Sequence, residues 1–204
     1  YSMPKGLTAA TGMDALTHAI ESYITPGAWV MSDMFELKAI EMIAQNLKAA
    51  VDNGKDVAAR EAMSQAQYIA GMGFSNVGLG IVHSMAHPLG AFYDTPHGVA
   101  TALLLPYVME YNAESPAAPK YIHFANAMGV DTTGMSEAEG VKAAVEAVKA
   151  LSASINIPQK LHEINVKEED IPALAVAAFN DVCTGGNPRP TSVADIEALY
   201  RKAF

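Results

Sequence analysis

Apolar residues recur at helical spacing along nearly the whole chain. In one such series, steps of three or four residues place Leu37, Ile40, Ile43 and Leu47 on one face of a helix. No stretch shows the alternation with a period of two that a half-buried strand would have. The pattern therefore predicts an all-α fold, a multi-helix bundle.

Residues typical of helix ends divide this pattern into eight to ten helices. Ser136 and Glu139 have the spacing of a capping box, and Gly54 and Gly129 suit the left-handed conformation that often ends a helix. No repeat, low-complexity segment or long linker interrupts the pattern, so residues 1–204 are predicted to form a single domain. The predicted helices cover residues 11–25, 32–51, 56–72, 77–90, 97–113, 116–128, 136–155, 167–181 and 192–203.

Charge and composition exclude several classes of partner. The formal net charge is -9 and no Lys/Arg cluster occurs, which argues against a nucleic-acid partner. The longest strongly apolar stretch, residues 99–109, contains Pro106 and is far shorter than the roughly 20 residues of a membrane-spanning helix. A single cysteine, Cys183, cannot form an intrachain disulfide, and no leader pattern opens the chain. We therefore expect no membrane partner and a cytoplasmic setting.

Four of the six histidines lie in two short regions that have the spacing of metal ligands. Asp14 and His18 are four residues apart, so they share a helix face, and His83 and His87 have the same spacing, with His97 following after a turn. A mixed carboxylate and imidazole site suits zinc or ferrous iron better than calcium or magnesium, which prefer oxygen ligands. Spacing alone leaves open whether His83 or His87 is the ligand.

Simpler interpretations of these histidines compete with a metal site. A single Asp-x-x-x-His pair is more often an ordinary hydrogen-bonded pair, and only the two pairs together with His97 make a metal site comparably plausible. Ser84 stands where the zinc-protease helix has the glutamate that acts as general base, so that enzyme class is excluded. The Glu-x-x-His pairs of a di-iron bundle are missing as well.

Three segments, residues 13–21, 78–90 and 95–98, resemble the iron-containing (group III) alcohol dehydrogenases, and the resemblance runs the full length of the chain. It implies the helical C-terminal domain of that fold. The implied ligands of a ferrous ion are Asp14, His18, His83 and His97. The resemblance also places His87 beside the nicotinamide and the substrate, where it relays a proton.

The same resemblance implies that Phe74, Leu79 and Cys183 form walls of the substrate pocket. The alternative is that each is an ordinary packing residue, and Cys183 also fits an inert buried thiol. In the implied mechanism the metal acts as a Lewis acid that polarises a small aldehyde, or the alkoxide of an alcohol or diol, during hydride transfer with NAD(P). Zinc or nickel can replace iron in a purified protein, because such sites bind several divalent metals.

The N-terminal dinucleotide-binding domain of that family has no counterpart in this sequence. The glycines at 71, 73, 78 and 80 lack the Gly-x-Gly-x-x-Gly spacing, and we interpret them as close-packing or hinge positions. The chain opens at Tyr1 and resembles a piece of a longer protein, whose full-length form we expect to be a homodimer. Two alternatives remain: this piece alone is a catalytically silent helical domain, or it belongs to a relative that keeps the metal ligands without the reductase activity.

Overall fold

The computed structural model describes all residues from 1 to 204 and contains nine α-helices and no strand, which confirms the predicted all-α fold. The helices are α1 Lys5–Ile24, α2 Val30–Asp52, α3 Val57–Val77, α4 Ile81–Tyr93, α5 His97–Asn112, α6 Tyr121–Ala127, α7 Glu137–Ser154, α8 Ile171–Phe179 and α9 Val193–Ala203. Short 3₁₀ turns occupy Ala118–Lys120, Leu161–Ile164, Glu168–Asp170 and Val182–Gly186.

Helix α1 lies at the centre of the molecule and packs against α2, α3 and α5. Its partners leave little of it exposed, and the apolar side chains of all nine helices join one continuous buried cluster. Helix α4 packs between α5 and α8, while α6 packs on α7 and α8 on α9. This arrangement brings the first turns of α4 and α5 against the middle of α1.

The predicted start of the first helix, residue 11, is too late, because α1 begins at Lys5 directly after Pro4. Gly12, which lies inside both the predicted and the observed helix, is locally unfavourable for a helix, since glycine loses more conformational freedom than alanine when it becomes helical. In the structure it is needed for packing: a Cβ at Gly12 would lie 2.2 Å from Cδ1 of Leu47 on α2. Close packing of α1 on α2 thus outweighs the local preference.

The glycine-rich segment is helical over more of its length than predicted. Helix α3 continues through Gly71 and Gly73 to Val77, and it ends where Gly78 adopts a φ of 87°, which favours glycine. The helix predicted for residues 77–90 therefore begins only at Ile81. The close-packing interpretation is confirmed at Gly73, where a Cβ would lie 2.0 Å from Oε1 of Glu36.

Two other predicted helices are shorter than expected. The segment 116–128 contains a 3₁₀ turn before α6, because Pro119 has no N–H to continue an α-helix. In the segment 167–181, α8 is preceded by a 3₁₀ turn and ends at Phe179. There the Asp181 side chain accepts a hydrogen bond from the Cys183 N–H at 2.8 Å and starts a new turn.

None of the nine helices combines the length and the apolar character that crossing a membrane would require.

Candidate metal centre

Side chains from three helices converge at one point of the structure. Asp14 and His18 lie on α1, His83 in the first turn of α4, and His97 is the first residue of α5. The start of α5 is held close to α1 because Gly98 lies directly on its backbone, where a Cβ would be 2.3 Å from the Ala10 carbonyl oxygen. The fold therefore brings together residues that are far apart in sequence.

Asp14, His83 and His97 form the tight part of this cluster. The Nε2 atoms of His97 and His83 lie 3.3 Å and 3.8 Å from Asp14 Oδ1. One ligand atom from each of the three residues lies within 4.8 Å of the other two. Thr101 donates a hydrogen bond to Asp14 Oδ1 at 3.1 Å, which fixes the orientation of the carboxylate.

His18 borders this group but does not contribute to its tight set of atoms. Its ring centroid lies 4.4 Å from that of His83 and 4.5 Å from that of Phe74. Its Nδ1 lies 2.8 Å from the backbone oxygen of Asp14. A neutral imidazole donates through only one nitrogen, so this contact leaves the Nε2 lone pair of His18 free.

The donor set fits a divalent transition metal. His83 is only 2% exposed, and its Nε2 has no hydrogen-bond partner in the structure. A buried polar atom without a partner is rare and calls for an explanation such as a bound ion. One carboxylate with two or three imidazoles is a combination that zinc and ferrous iron accept and calcium disfavours.

The charges of the cluster shift the pKa values of its members in different directions. Burial alone would raise the pKa of Asp14, but the hydrogen bond from His97 and the nearby His18 hold it below its ordinary value. Burial lowers the pKa of His18 despite the Asp14 carboxylate beside it. Burial also opposes charge on His83, but the contact with Glu21 outweighs it and the pKa of His83 is raised. Asp14 is thus ionised over the physiological pH range, as a metal ligand must be.

His87 lies one turn further along α4 and outside the tight set. Its side chain is 42% exposed, and its Nδ1 lies 2.7 Å from Oδ2 of Asp181. Its ring stacks on that of His97 at a centroid distance of 5.5 Å and an interplanar angle of 19°. The two histidines that the sequence left interchangeable therefore differ, because His83 is buried against Asp14 and His87 is exposed against Asp181.

The predicted pocket residues lie around this cluster. Phe74 packs on His18, and the Val182–Gly186 turn lies so close to the Leu79 backbone that a Cβ at Gly186 would be 1.9 Å from the Leu79 oxygen. Cys183 is partly buried in that turn. Burial and the Asp181 carboxylate raise the pKa of the Cys183 thiol to about 12, which favours the protonated thiol at neutral pH.

The predicted pocket residues lie apart from the cavity that borders Asp14. A cavity of about 650 Å³ borders Asp14 on the side facing α3, where Arg60, Met63 and Gln67 line it. None of the four histidines of the cluster and none of the predicted pocket residues lines it. This cavity is therefore distinct from the predicted substrate pocket.

Glu21 has no predicted role, yet the structure places it in the cluster. It is 2% exposed, its Oε2 lies 2.6 Å from His83 Nδ1, and its Oε1 accepts the Val82 N–H at 2.7 Å. A signal was present, because Asp14, His18 and Glu21 have the spacing i, i+4 and i+7 of one helix face.

Comparison with known proteins assigns the chain to a family. Residues 8–204 match the model of the C-terminal part of the Fe-containing alcohol dehydrogenase family. The chain belongs to this family. Within the iron-containing alcohol dehydrogenases it is similar to lactaldehyde reductase from Escherichia coli (strain K12), with 59% identity over 99% of this chain and 52% of that protein. It is also similar to 1,3-propanediol dehydrogenase from Klebsiella pneumoniae, with 46% identity over 98% of this chain and 52% of that protein.

Solved structures of iron-containing alcohol dehydrogenases share the fold. A crystal structure of a 1,3-propanediol oxidoreductase superposes with a TM-score of 0.98 at 46% identity, covering 100% of this chain and 53% of the other. An alcohol dehydrogenase from Oenococcus oeni superposes with a TM-score of 0.96 at 40% identity, covering 99% and 52%. The chain thus spans about half the length of the relatives that it matches.

Proposed function

We propose that this chain is the metal-binding catalytic half of an NAD(P)-linked alcohol dehydrogenase or aldehyde reductase. The observation that carries the proposal is the convergence of Asp14, His83 and His97 around a buried His83 Nε2 that has no partner. We propose His18 as the fourth ligand, since its Nδ1 is engaged with its own helix and its ring lies against that of His83. Under this proposal, residues 1–204 form one metal-binding domain and the dinucleotide-binding domain belongs to the other half of the protein.

The proposed metal is ferrous iron, with zinc or nickel as replacements in a purified protein. When bound, a divalent ion would supply Lewis-acid stabilisation of the negative charge that develops on a substrate oxygen. The chain's own residues contribute the ligand geometry. Thr101 fixes the Asp14 carboxylate, and the Gly98 contact with α1 holds the start of α5, where His97 lies.

His87 is the proposed proton carrier. Its exposure lets it exchange protons with solvent, and imidazole is the side chain that titrates nearest neutral pH. Burial of Asp181 is outweighed by its hydrogen bonds from the Cys183 N–H and His87, which lower its pKa and keep it ionised. The Asp181 carboxylate therefore orients the His87 ring through Nδ1 and leaves Nε2 directed elsewhere.

The proposed substrates are small aldehydes and the corresponding alcohols or diols. The names of the relatives, lactaldehyde reductase and 1,3-propanediol dehydrogenase, support this class. Phe74, Leu79 and Cys183 are the proposed walls of the substrate site, and a protonated Cys183 offers a small, weakly polar surface there.

Substitution of the two α4 histidines tests the assignment. Because His83 is buried beside Asp14, His83→Ala should abolish bound metal. Because His87 is exposed and contacts Asp181 instead, His87→Ala should retain the metal. Elemental analysis of both variants after metal loading measures the difference, and turnover in the full-length enzyme should fall to background in the first variant and by about 100-fold in the second. Metal retained by His83→Ala, or lost from His87→Ala, would show that the two roles are exchanged or wrong.

A second candidate is that this chain by itself is a catalytically silent metal-binding domain. The observation that favours it is that the chain spans 52% of the reductases it resembles and contains only helices. It has no strand followed by a glycine-rich turn that would bind a dinucleotide pyrophosphate. Under this proposal the metal site forms in the chain, while hydride transfer requires the other half.

A further inference from the structure

Glu21 is a buried carboxylate with an unusual set of partners. It is 2% exposed, and its one ion-pair partner is His83 rather than a lysine or arginine. Its two oxygens divide between Nδ1 of His83 at 2.6 Å and the Val82 N–H at 2.7 Å. Val82 lies in the first turn of α4, where free N–H groups and the helix dipole favour a negative charge. Glu21 on α1 thus holds both the start of α4 and its first histidine.

This contact decides which nitrogen of a neutral His83 carries the proton. An ionised carboxylate only accepts hydrogen bonds, so Nδ1 must be the protonated nitrogen. The lone pair is then on Nε2, which has no partner and lies 3.8 Å from Asp14 Oδ1. The tautomer selected by Glu21 is therefore the one that can bind a metal beside Asp14.

The position of the Glu21 carboxylate requires a glycine at position 80. A Cβ at Gly80 would lie 2.9 Å from Glu21 Oε1 and 3.2 Å from Oδ1 of Asn187. Asn187 is itself fixed by reciprocal hydrogen bonds of 2.8 Å with the buried Asn112. Because its amide cannot easily move, a side chain at position 80 would displace the Glu21 carboxylate instead.

We infer that Glu21 is a positioning residue of the metal centre, which fixes the tautomer and ring orientation of His83 and fastens α4 to α1. The inference rests on the proposed metal site. Carboxylates that hold the second nitrogen of a ligating histidine also raise its basicity toward the metal, and their loss weakens metal affinity by about 10- to 100-fold.

Glu21→Gln tests this role while preserving the shape of the side chain. A glutamine has one carbonyl oxygen and one NH₂ group, so if the oxygen keeps the Val82 N–H, the NH₂ group faces His83 Nδ1. Nδ1 must then accept, and the proton moves to Nε2. Titration with Co²⁺, followed by its visible absorption, should show affinity about 10- to 100-fold lower than in the wild type. Gly80→Ala should weaken Co²⁺ binding in the same direction.

Glu36→Gln is the matched control, because Glu36 is also fully buried but its side chain is hydrogen-bonded to Ser22 and not to the ring of a proposed ligand. Its Co²⁺ affinity should equal that of the wild type. Circular dichroism checks that each variant keeps its helices. Unchanged Co²⁺ affinity in Glu21→Gln would overturn the inference while leaving the proposed metal site intact, whereas metal retention by His83→Ala would overturn the site itself.

The His83 tautomer can also be read in the unmodified protein, where no substitution disturbs folding. In metal-free protein labelled with ¹⁵N-histidine, at alkaline pH where the imidazole is neutral, two-bond ¹H–¹⁵N correlations distinguish the tautomers. We expect His83 to carry its proton on Nδ1, and Glu21→Gln to carry it on Nε2. A proton on Nε2 in the wild type would overturn the inference.

Discussion

The Glu36 carboxyl group is buried without a counter-ion between α1, α2 and α3. It is fully buried, its Oε1 lies 2.5 Å from the Ser22 hydroxyl, and its Oε2 has no partner. The same hydroxyl lies 2.5 Å from the His18 carbonyl oxygen, which can only accept. Ser22 has a single hydroxyl proton, which it donates to that carbonyl. The hydrogen bond between Ser22 and Glu36 therefore needs a proton on Glu36, which then acts as the donor. Burial accordingly raises the pKa of Glu36 to about 8.

Glu36→Gln should therefore stabilise the protein at alkaline pH. Folding raises the pKa of Glu36 from 4.5 to about 8, so between these pH values the folded protein must keep a proton that the unfolded chain has released. The free energy of unfolding is therefore unaffected below pH 4.5 and decreases as the pH rises from 4.5 to about 8. Glutamine stays neutral, and we expect a gain of roughly 2 to 4 kcal/mol at pH 8 that vanishes near pH 4.5. Chemical denaturation across this pH range measures it. Glu41→Gln, on the exposed side of α2, is the control and should show no such trend; a gain independent of pH in Glu36→Gln would contradict the prediction.

At the residue scale, the sequence reveals chemistry that depends on residue type and short spacing. Asp14, His18, His83 and His87 stand out because Asp-x-x-x-His and His-x-x-x-His each place two side chains on one helix face. Glu21 does not stand out, because its role comes from a contact with His83, 62 positions away in the chain. The sequence spacing also gives no reason to prefer His83 or His87 as the ligand. Only the folded structure distinguishes them, because it buries His83 and exposes His87.

At the scale of elements, the crossing of α5 over α1 depends on Gly98. A Cβ there would lie 2.3 Å and 2.6 Å from the carbonyl oxygen and carbon of Ala10, and this backbone cannot move aside as a flexible side chain could. Gly98→Ala should force the start of α5 away from α1 and destabilise the protein by about 1 to 3 kcal/mol. His97 should move away from Asp14, and Co²⁺ affinity should fall with it.

Gly71→Ala is the matched control for this substitution. Gly71 is also helical, in α3, but no atom would lie within 4 Å of its Cβ. This variant should be stabilised by about 0.5 to 1 kcal/mol, since alanine loses less conformational freedom than glycine in a helix. Urea denaturation compares the two variants. Equal stability of Gly98→Ala and Gly71→Ala would contradict close packing at the α1–α5 crossing.

The number and type of the helices follow from the hydrophobic pattern, whereas several of their ends do not. Ser136 is the N-cap of α7 as predicted, because its capping box with Glu139 is local in sequence. The end of α3 was predicted wrongly because Gly73, just beyond the predicted end, is helical and packs closely against Glu36 of α2. Local preference is a weak guide wherever tertiary packing compensates for it.

At the scale of the whole molecule, the metal cluster has a buried side and an exposed side. Glu21 and His83 are each 2% exposed, whereas the side chains of His87 and His97 are 42% and 43% exposed. The buried side fixes the ligands within this chain. The exposed side carries the proposed proton carrier and substrate walls, so we expect that face to be completed by the half of the protein that the relatives have in addition.

Because the buried side of the cluster lies within this chain and the exposed side is incomplete, we predict that this chain alone binds a metal ion tightly but a nucleotide only weakly. The metal-loaded protein should bind NADH only weakly, with a dissociation constant in the millimolar range or above, because no glycine-rich turn between a strand and a helix is present to hold the pyrophosphate. Titration followed by NADH fluorescence measures this, and Co²⁺ absorption on the same sample verifies that the ligand cluster is formed. The isolated chain should correspondingly show no reduction of a small aldehyde by NADH. Tight, saturable NADH binding would place a nucleotide site within these 204 residues and contradict the silent-domain proposal. Tight Co²⁺ binding with weak NADH binding would assign metal binding to this half of the enzyme and nucleotide binding to the other.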